Sequence, residues 1–253
     1  MIVALVVLSA FLHAAWNALV KREADKDRTL IAAVAIGTLF AIAVAVVRAV
    51  ATGVPAFATP TSFGFSLVAG VFEQVYFFTL ARALDRGPLG PVYTLSRGGA
   101  VVLVYPLSVA IFGETTSPLS LTGSAVVLAG LLLSDWRFGR ASDMPLPATL
   151  WALVCAAAIA AYHLAYKAAL AGGGAPSAVF AVSLSMSTAL SFVRTGREGR
   201  AAAARLVLAS PAKVTLMGLL SAGSILVMLV PLTLYVVLQK YYIRGMIGWT
   251  IKG

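Results

Sequence analysis

Eight long apolar segments constrain this chain more than any other feature of its sequence. A helix needs about 20 apolar residues to cross the hydrocarbon core of a bilayer. Segments that approach or exceed that length lie at residues 2–20, 29–50, 62–84, 90–112, 119–134, 148–170, 175–193 and 214–238. Since strands with open edges cannot face lipid, we predict an all-α fold: a polytopic membrane helix bundle of about eight spans.

The composition agrees with a membrane environment. Of the 253 residues, 60% are hydrophobic and 11% are charged, whereas soluble domains carry about 25% charged residues. The net charge is +10, and the charged residues lie mainly between the apolar runs. This position favours a role as topology signals and in contact with lipid headgroups over a role in binding nucleic acid. No basic residue precedes the first apolar stretch, so we expect a retained span rather than a cleaved signal peptide. We therefore expect a multi-pass protein of the cytoplasmic membrane.

Basic residues occur in every second loop. The loops after the first, third, fifth and seventh segments carry Lys and Arg, whereas those after the second, fourth and sixth carry none. The positive-inside rule therefore predicts that the odd-numbered loops are cytoplasmic and the N-terminus is outside. Three basic residues near the C-terminus oppose that pattern, namely Lys240, Arg244 and Lys252.

Two segments of the chain resemble each other. "WNALVK" at 16–21 matches "YHLAYK" at 162–167, an offset of 146 residues, and after a short indel Ala69–Gly70 falls on Met217–Gly218. Five spans separate the two copies, so the copies cross the membrane in opposite directions. The pattern predicts an incomplete inverted five-helix repeat, an architecture typical of secondary transporters.

Three stretches resemble EamA-type transporters of the drug/metabolite transporter superfamily. They are "FLHAAWNALVKR", "ARALDRGPLGPVYTLSRGGAVVLVYPLSVAIFGE" and the Gly-bearing span that enters "LLLSD". The resemblance implies ten helices in two inverted repeats, of which residues 1–134 are the first and residues 148–228 a partial second. It also implies transport of small metabolites by a carrier without ATP. The family's usual topology has a cytoplasmic N-terminus, opposite to the charge distribution, so the orientation stays open.

The tail at 229–253 departs from that family. Its sequence, which ends "LQKYYIRGMIGWTIKG", resembles the C-terminus of sugar permeases of ABC transporters. The coupling loop of such permeases is absent from the chain, and we interpret the tail as the product of recombination, a frameshift or an assembly join. Three functions follow as alternatives: a secondary transporter, which is the leading one; a non-functional truncated or fused membrane protein; and, less favoured, an ABC sugar permease subunit.

Two charged side chains lie within spans and away from their ends. Glu73 lies near the middle of the third span, where a charge facing lipid costs about 2.5 kcal/mol or more, so it must face the bundle interior. It is either a proton or substrate site, or a structural carboxyl group paired with Arg97 or a hydroxyl. Arg97 needs an anion, either Glu73 or a substrate carboxylate. Tyr93 shares the face of Arg97, and Tyr76 lies one turn after Glu73, where it lines the cavity or packs.

Histidines mark the corresponding first helices of the two repeats. His13 and Asn17 share a face of the first span with Trp16 adjacent, and His163 lies in the sixth span. In an inverted repeat these faces meet across a cavity, where histidine can relay protons. The alternative is that His13 and Asn17 only join helices by hydrogen bonds.

No enzymatic signature appears in the sequence. It lacks a phosphate-binding loop, a nucleophile elbow and metal-ligand spacing, and its single cysteine is Cys155. We therefore expect no enzyme activity, no cofactor and no metal. The expected partners are a small-molecule substrate and the lipid bilayer, with a homodimer as an open expectation and no nucleic acid.

Overall fold

The fold is a bundle of helices. The computed structural model describes residues 2–113, 118–135 and 144–227. These residues form eight helices and no strand: α1 (Ile2–Lys21), α2 (Lys26–Thr52), α3 (Pro60–Arg86), α4 (Leu89–Phe112), α5 (Pro118–Asp135), α6 (Leu146–Ala171), α7 (Pro176–Ala209) and α8 (Pro211–Val227). All but α5 and α8 are long and apolar enough to cross a membrane. The prediction of an all-α, polytopic membrane bundle is confirmed.

Helix α7 differs from its prediction. The apolar pattern places the end of the seventh span at residue 193 and a connection at 194–213, but α7 continues to Ala209. Gly196, with φ 63° and ψ −162°, breaks the helix direction at the edge of the apolar run. The segment after the break is rich in Ala, Leu and Arg, which favour helix, although its polarity suggests a loop.

The last predicted span is described only in part. Helix α8 is described as far as Val227, and the remainder of that span, to residue 238, lies outside the described residues. The whole tail at 229–253 lies outside them as well.

Helix α3 lies at the centre of the packing. It contacts α6 and α7, while α2 packs on α7 and α4 packs on α6. Large buried side chains from different helices meet in one core, among them Trp16, Leu84, Ile159 and Phe180. The core therefore joins helices from both predicted repeats.

Glycines bring two pairs of helices together. A β-carbon at Gly70 of α3 would collide with the carbonyl oxygen of Ser183 and lie 2.6 Å from Cβ of Met186 on α7. A β-carbon at Gly218 of α8 would lie 2.6 Å from the carbonyl oxygen of Ala33 on α2. Helix α3 approaches α7 closely at Gly70, and α8 approaches α2 closely at Gly218. These are the two glycines that the repeat alignment places at equivalent positions.

Helices α2 and α7 are joined by hydroxyl groups. Thr38 Oγ1 donates to the carbonyl oxygen of Val34 in its own helix at 2.8 Å, and it lies 2.7 Å from Thr188 Oγ1 and 3.3 Å from the carbonyl oxygen of Leu184. Thr38 and Leu184 are 146 residues apart, the same offset that relates the two predicted repeats.

One end of the bundle gathers charged loops. Lys26 pairs with Asp85 at 3.0 Å, joining the start of α2 to the end of α3. Arg194 pairs with Asp27 through two hydrogen bonds of 2.9 and 2.6 Å. The basic loops that follow the first, third and seventh spans therefore meet at one end.

The opposite end is held by backbone bonds. The amide of Ala58 donates to the carbonyl of Gly173 at 3.2 Å, and the amide of Ala175 donates to the carbonyl of Ala56 at 2.8 Å. These bonds tie the loop between α2 and α3 to the loop between α6 and α7.

Candidate substrate site

Arg97 lies at the junction of three helices. From α4, its Nη2 donates to the hydroxyl of Tyr76 on α3 at 2.7 Å and to Nε2 of His13 on α1. The guanidinium also lies over the Tyr76 ring, 5.1 Å from its centroid. Arg97 and His13 are only partly buried, so this polar group is accessible although it lies within three apolar helices.

A chain of hydrogen bonds continues from His13 to α8. Nδ1 of His13 lies 3.2 Å from Oγ of Ser224, whose own hydroxyl proton is donated to the carbonyl of Ser221 at 2.7 Å. A guanidinium only donates, so Nε2 of His13 accepts from Arg97 and Nδ1 carries the proton towards Ser224 Oγ; Nε1 of Trp16 also lies 3.4 Å from that Nδ1. This arrangement assigns a neutral His13 and links α4, α1 and α8 in one network.

Aromatic and amide side chains surround His13. Trp16 meets the His13 ring edge-on at a centroid distance of 5.7 Å, and Tyr93 lies 6.4 Å away and is partly exposed. Asn17 is buried and donates to the carbonyl of His13 at 2.7 Å, within its own helix. Asn17 therefore stabilises α1 next to His13.

Glu73 occupies a separate, buried position. Its Oε1 accepts from the hydroxyl of Tyr166 at 2.7 Å, and its Oε2 accepts from Oγ of Ser183 at 2.6 Å. Among the described residues, neither Glu73 nor Arg97 takes part in an ion pair. Of the predicted alternatives for Glu73, pairing with Arg97 does not occur and pairing with hydroxyls does.

A row of tyrosines lies between the two charged groups. The rings of Tyr76 and Tyr162 are 5.8 Å apart, and those of Tyr162 and Tyr166 are 5.6 Å apart. The row begins at Arg97, which bonds Tyr76, and ends at Glu73, which bonds Tyr166. Sequence reasoning missed Tyr162 and Tyr166, although their spacing of four residues in "YHLAYK" places both on one helix face.

His163 lies beside this row. Its ring stacks on Tyr162 at 4.3 Å, and its Nδ1 contacts the carbonyl oxygen of Ile159 at 2.9 Å. The residue is exposed, and both of these contacts lie within α6. The structure thus brings together His13, Trp16, Tyr76, Tyr93 and Arg97, with His163 adjacent through Tyr162 and Glu73 at the far end of the row.

The part of the chain that the structure describes contains no cluster of metal-ligating side chains. No three His, Cys, Asp or Glu side chains there lie close enough together to hold a metal ion.

Comparison with known proteins supports a membrane transporter, but the matching stretch is short. No protein-family model matches the chain. A 35-residue stretch is 66% identical to the "Probable ABC transporter permease protein PH1036" of Pyrococcus horikoshii, and it covers 14% of this chain and 13% of that protein. The chain therefore spans only a small fraction of the relative that it matches. The match and the apolar helices together support a multi-pass membrane transporter, whereas the resemblance to EamA-type transporters stays a prediction.

Proposed function

We propose that the protein is a secondary transporter that carries a small metabolite across the cytoplasmic membrane by alternating access. The observation that carries the proposal is a polar network inside an apolar bundle: Arg97 and His13 are partly exposed, and their hydrogen bonds continue to the buried Ser224, joining α4, α1 and α8. Ionisable groups within membrane helices are costly and are typical of substrate or ion pathways. The network joins helices of both proposed repeats, where substrate sites of such carriers lie.

Two contacts support the inverted repeat on which this proposal depends. A two-fold axis brings equivalent positions together, and Thr38 contacts Leu184, its equivalent at the offset of 146 residues. Away from that axis, equivalent positions make equivalent contacts. Gly70 of α3 packs closely against α7, and Gly218 of α8 packs closely against α2. Rocking of two repeats about such an axis is how many carriers expose one site to either side.

Uptake into proteoliposomes tests the proposal. The purified protein should exchange a radiolabelled metabolite across the bilayer with no ATP and no second subunit. Uptake that appears only when an ATP-hydrolysing subunit and ATP are added would favour an ABC permease, the class of the relative that matches over 35 residues. A correctly folded protein with no uptake under either condition would instead favour a non-functional fusion.

Glu73 is our candidate for proton coupling. Its two partners are hydroxyl groups, which either donate or accept and so suit both a carboxylate and a protonated carboxyl group. Glu73→Gln should abolish the stimulation of uptake by a proton gradient while exchange at equal pH continues. The control Glu23→Gln changes a carboxylate at the bundle end, which pairs with Lys213, and should leave coupling intact. Coupling that survives Glu73→Gln would remove Glu73 from the mechanism.

A further inference from the structure

The guanidinium of Arg97 has unused hydrogen-bond donors. A guanidinium carries five N–H donors, and both bonds that Arg97 makes to described side chains come from Nη2. Nε and Nη1 of Arg97 form no hydrogen bond of normal geometry with a described residue, although the hydroxyl of Tyr162 is a further polar neighbour of the guanidinium. Arg97 is partly exposed, so Nε and Nη1 are the donors left for a ligand.

Among the described residues, no carboxylate neutralises the charge of Arg97. Its two hydrogen-bond partners are the Tyr76 hydroxyl and a His13 that the network assigns as neutral. The charged pairs of the described chain lie at the end of the bundle, on loops or helix termini. Both oxygens of Glu73 are already occupied by hydroxyl groups on α6 and α7.

An arginine inside a membrane bundle is costly unless an anion accompanies it. We propose that the accessible side of Arg97 binds the carboxylate of a small, singly charged organic acid, beside His13 and Tyr93. A single guanidinium without a second cation balances one negative charge, which favours a monocarboxylate over a doubly charged phosphate. This inference rests on the proposed transport function and names its substrate class.

Binding of simple probes tests the site directly. The purified protein in detergent is titrated with benzoate and lactate, and with the uncharged amides benzamide and lactamide, while the thermal unfolding midpoint is followed. The two carboxylates should raise the midpoint in proportion to their occupancy, and the two amides should not. Equal shifts with carboxylates and amides would overturn the proposal without any variant being made.

Variants of Arg97 locate the site. Arg97→Gln should lose the response to benzoate, whereas Arg82→Gln, at the end of α3 where Arg82 contacts the Phe78 ring, should retain it. Should Arg97→Gln fail to fold, Arg97→Lys keeps the charge but loses the planar fork, and we expect its benzoate affinity to fall by about tenfold or more. An unchanged affinity in either Arg97 variant would assign the carboxylate to another site.

The two proposals fail in different ways. Selective benzoate binding that depends on Arg97, together with no uptake into proteoliposomes, would keep the anion site and reject transport. Uptake of neutral solutes that is unaffected by Arg97→Lys would keep transport and reject the anion site.

Discussion

Lys21 shows how a single residue secures a helix end. From the end of α1, its Nζ donates to the carbonyl oxygens of Leu84 at 2.6 Å and Gly87 at 2.7 Å, at the C-terminus of α3. The last carbonyls of a helix have no partner within the helix, and a cation there also suits the helix dipole. Lys21 therefore closes α3 and fixes α1 against it.

Loss of that contact should destabilise the bundle. Lys21→Met keeps the apolar stem but leaves two carbonyl groups without their donor, which should lower the free energy of unfolding by about 1–3 kcal/mol. Thermal unfolding in detergent measures the change. The neighbouring Arg22 is exposed, so Arg22→Met should have little effect; equal losses from both variants would contradict a capping role.

The sequence predicts which polar residues point inward but not which of them meet. Exclusion of charge from lipid is enough to place Glu73 and Arg97 in the interior. The partners of Glu73 lie 93 and 110 residues away in the chain, on α6 and α7. Their identity depends on how the helices are rotated against each other, which an apolar pattern leaves undetermined.

At the scale of helices, close packing depends on particular glycines. Gly70→Ala should lower the free energy of unfolding by about 1–3 kcal/mol, because its methyl group would collide with backbone and Met186 on α7. Gly64 in the same helix has open space around it, so Gly64→Ala should be neutral or gain up to about 1 kcal/mol from helix propensity. Thermal unfolding of both variants tests this difference.

The second helix pair supplies a matched comparison. Gly218→Ala in α8 should behave like Gly70→Ala, and Gly223→Ala, which meets no atom within 4 Å, should behave like Gly64→Ala. If Gly70→Ala and Gly218→Ala both left stability unchanged, the close approach of these helices would be refuted.

The hydropathy pattern predicts the limits of helices where the bilayer determines helix length. The first four helices begin and end close to the predicted limits because the bilayer imposes both length and polarity. In α7 the span ends near its predicted limit, at the break of Gly196, and the connection predicted after it is helical because its residues have high helix propensity. Ala203 in that extension is buried against Ile31 and Val214, a tertiary contact that composition cannot reveal.

At the scale of the whole molecule, the two expectations for orientation disagree, and the structure supplies positions to test them. Ala24 lies at the charged end and Val54 near the opposite end, and both are exposed. Because the basic loops gather at one end, we expect that end to be cytoplasmic. In a Cys155→Ser background, a membrane-impermeant maleimide should label Val54→Cys in intact cells and Ala24→Cys only after permeabilisation. The reverse pattern would favour the orientation implied by the EamA resemblance.

The class of fold is the most predictable property at this scale. A solvent without hydrogen-bonding capacity leaves helices as the structures available to such apolar segments. The central position of α3 depends instead on small residues and hydroxyl groups whose partners lie on distant helices, such as Ser183 for Gly70.

The gathering of cations at one end makes the molecule an electric dipole in the membrane potential. Moving one elementary charge across a membrane potential of 100 mV changes its free energy by about 2.3 kcal/mol, and transfer through the hydrocarbon core adds a further cost. Arg22, Arg200 and Arg205 are exposed and form no ion pair with a described residue, and all three would have to make that passage if the inserted bundle turned over. Every copy therefore keeps the direction in which it was first inserted.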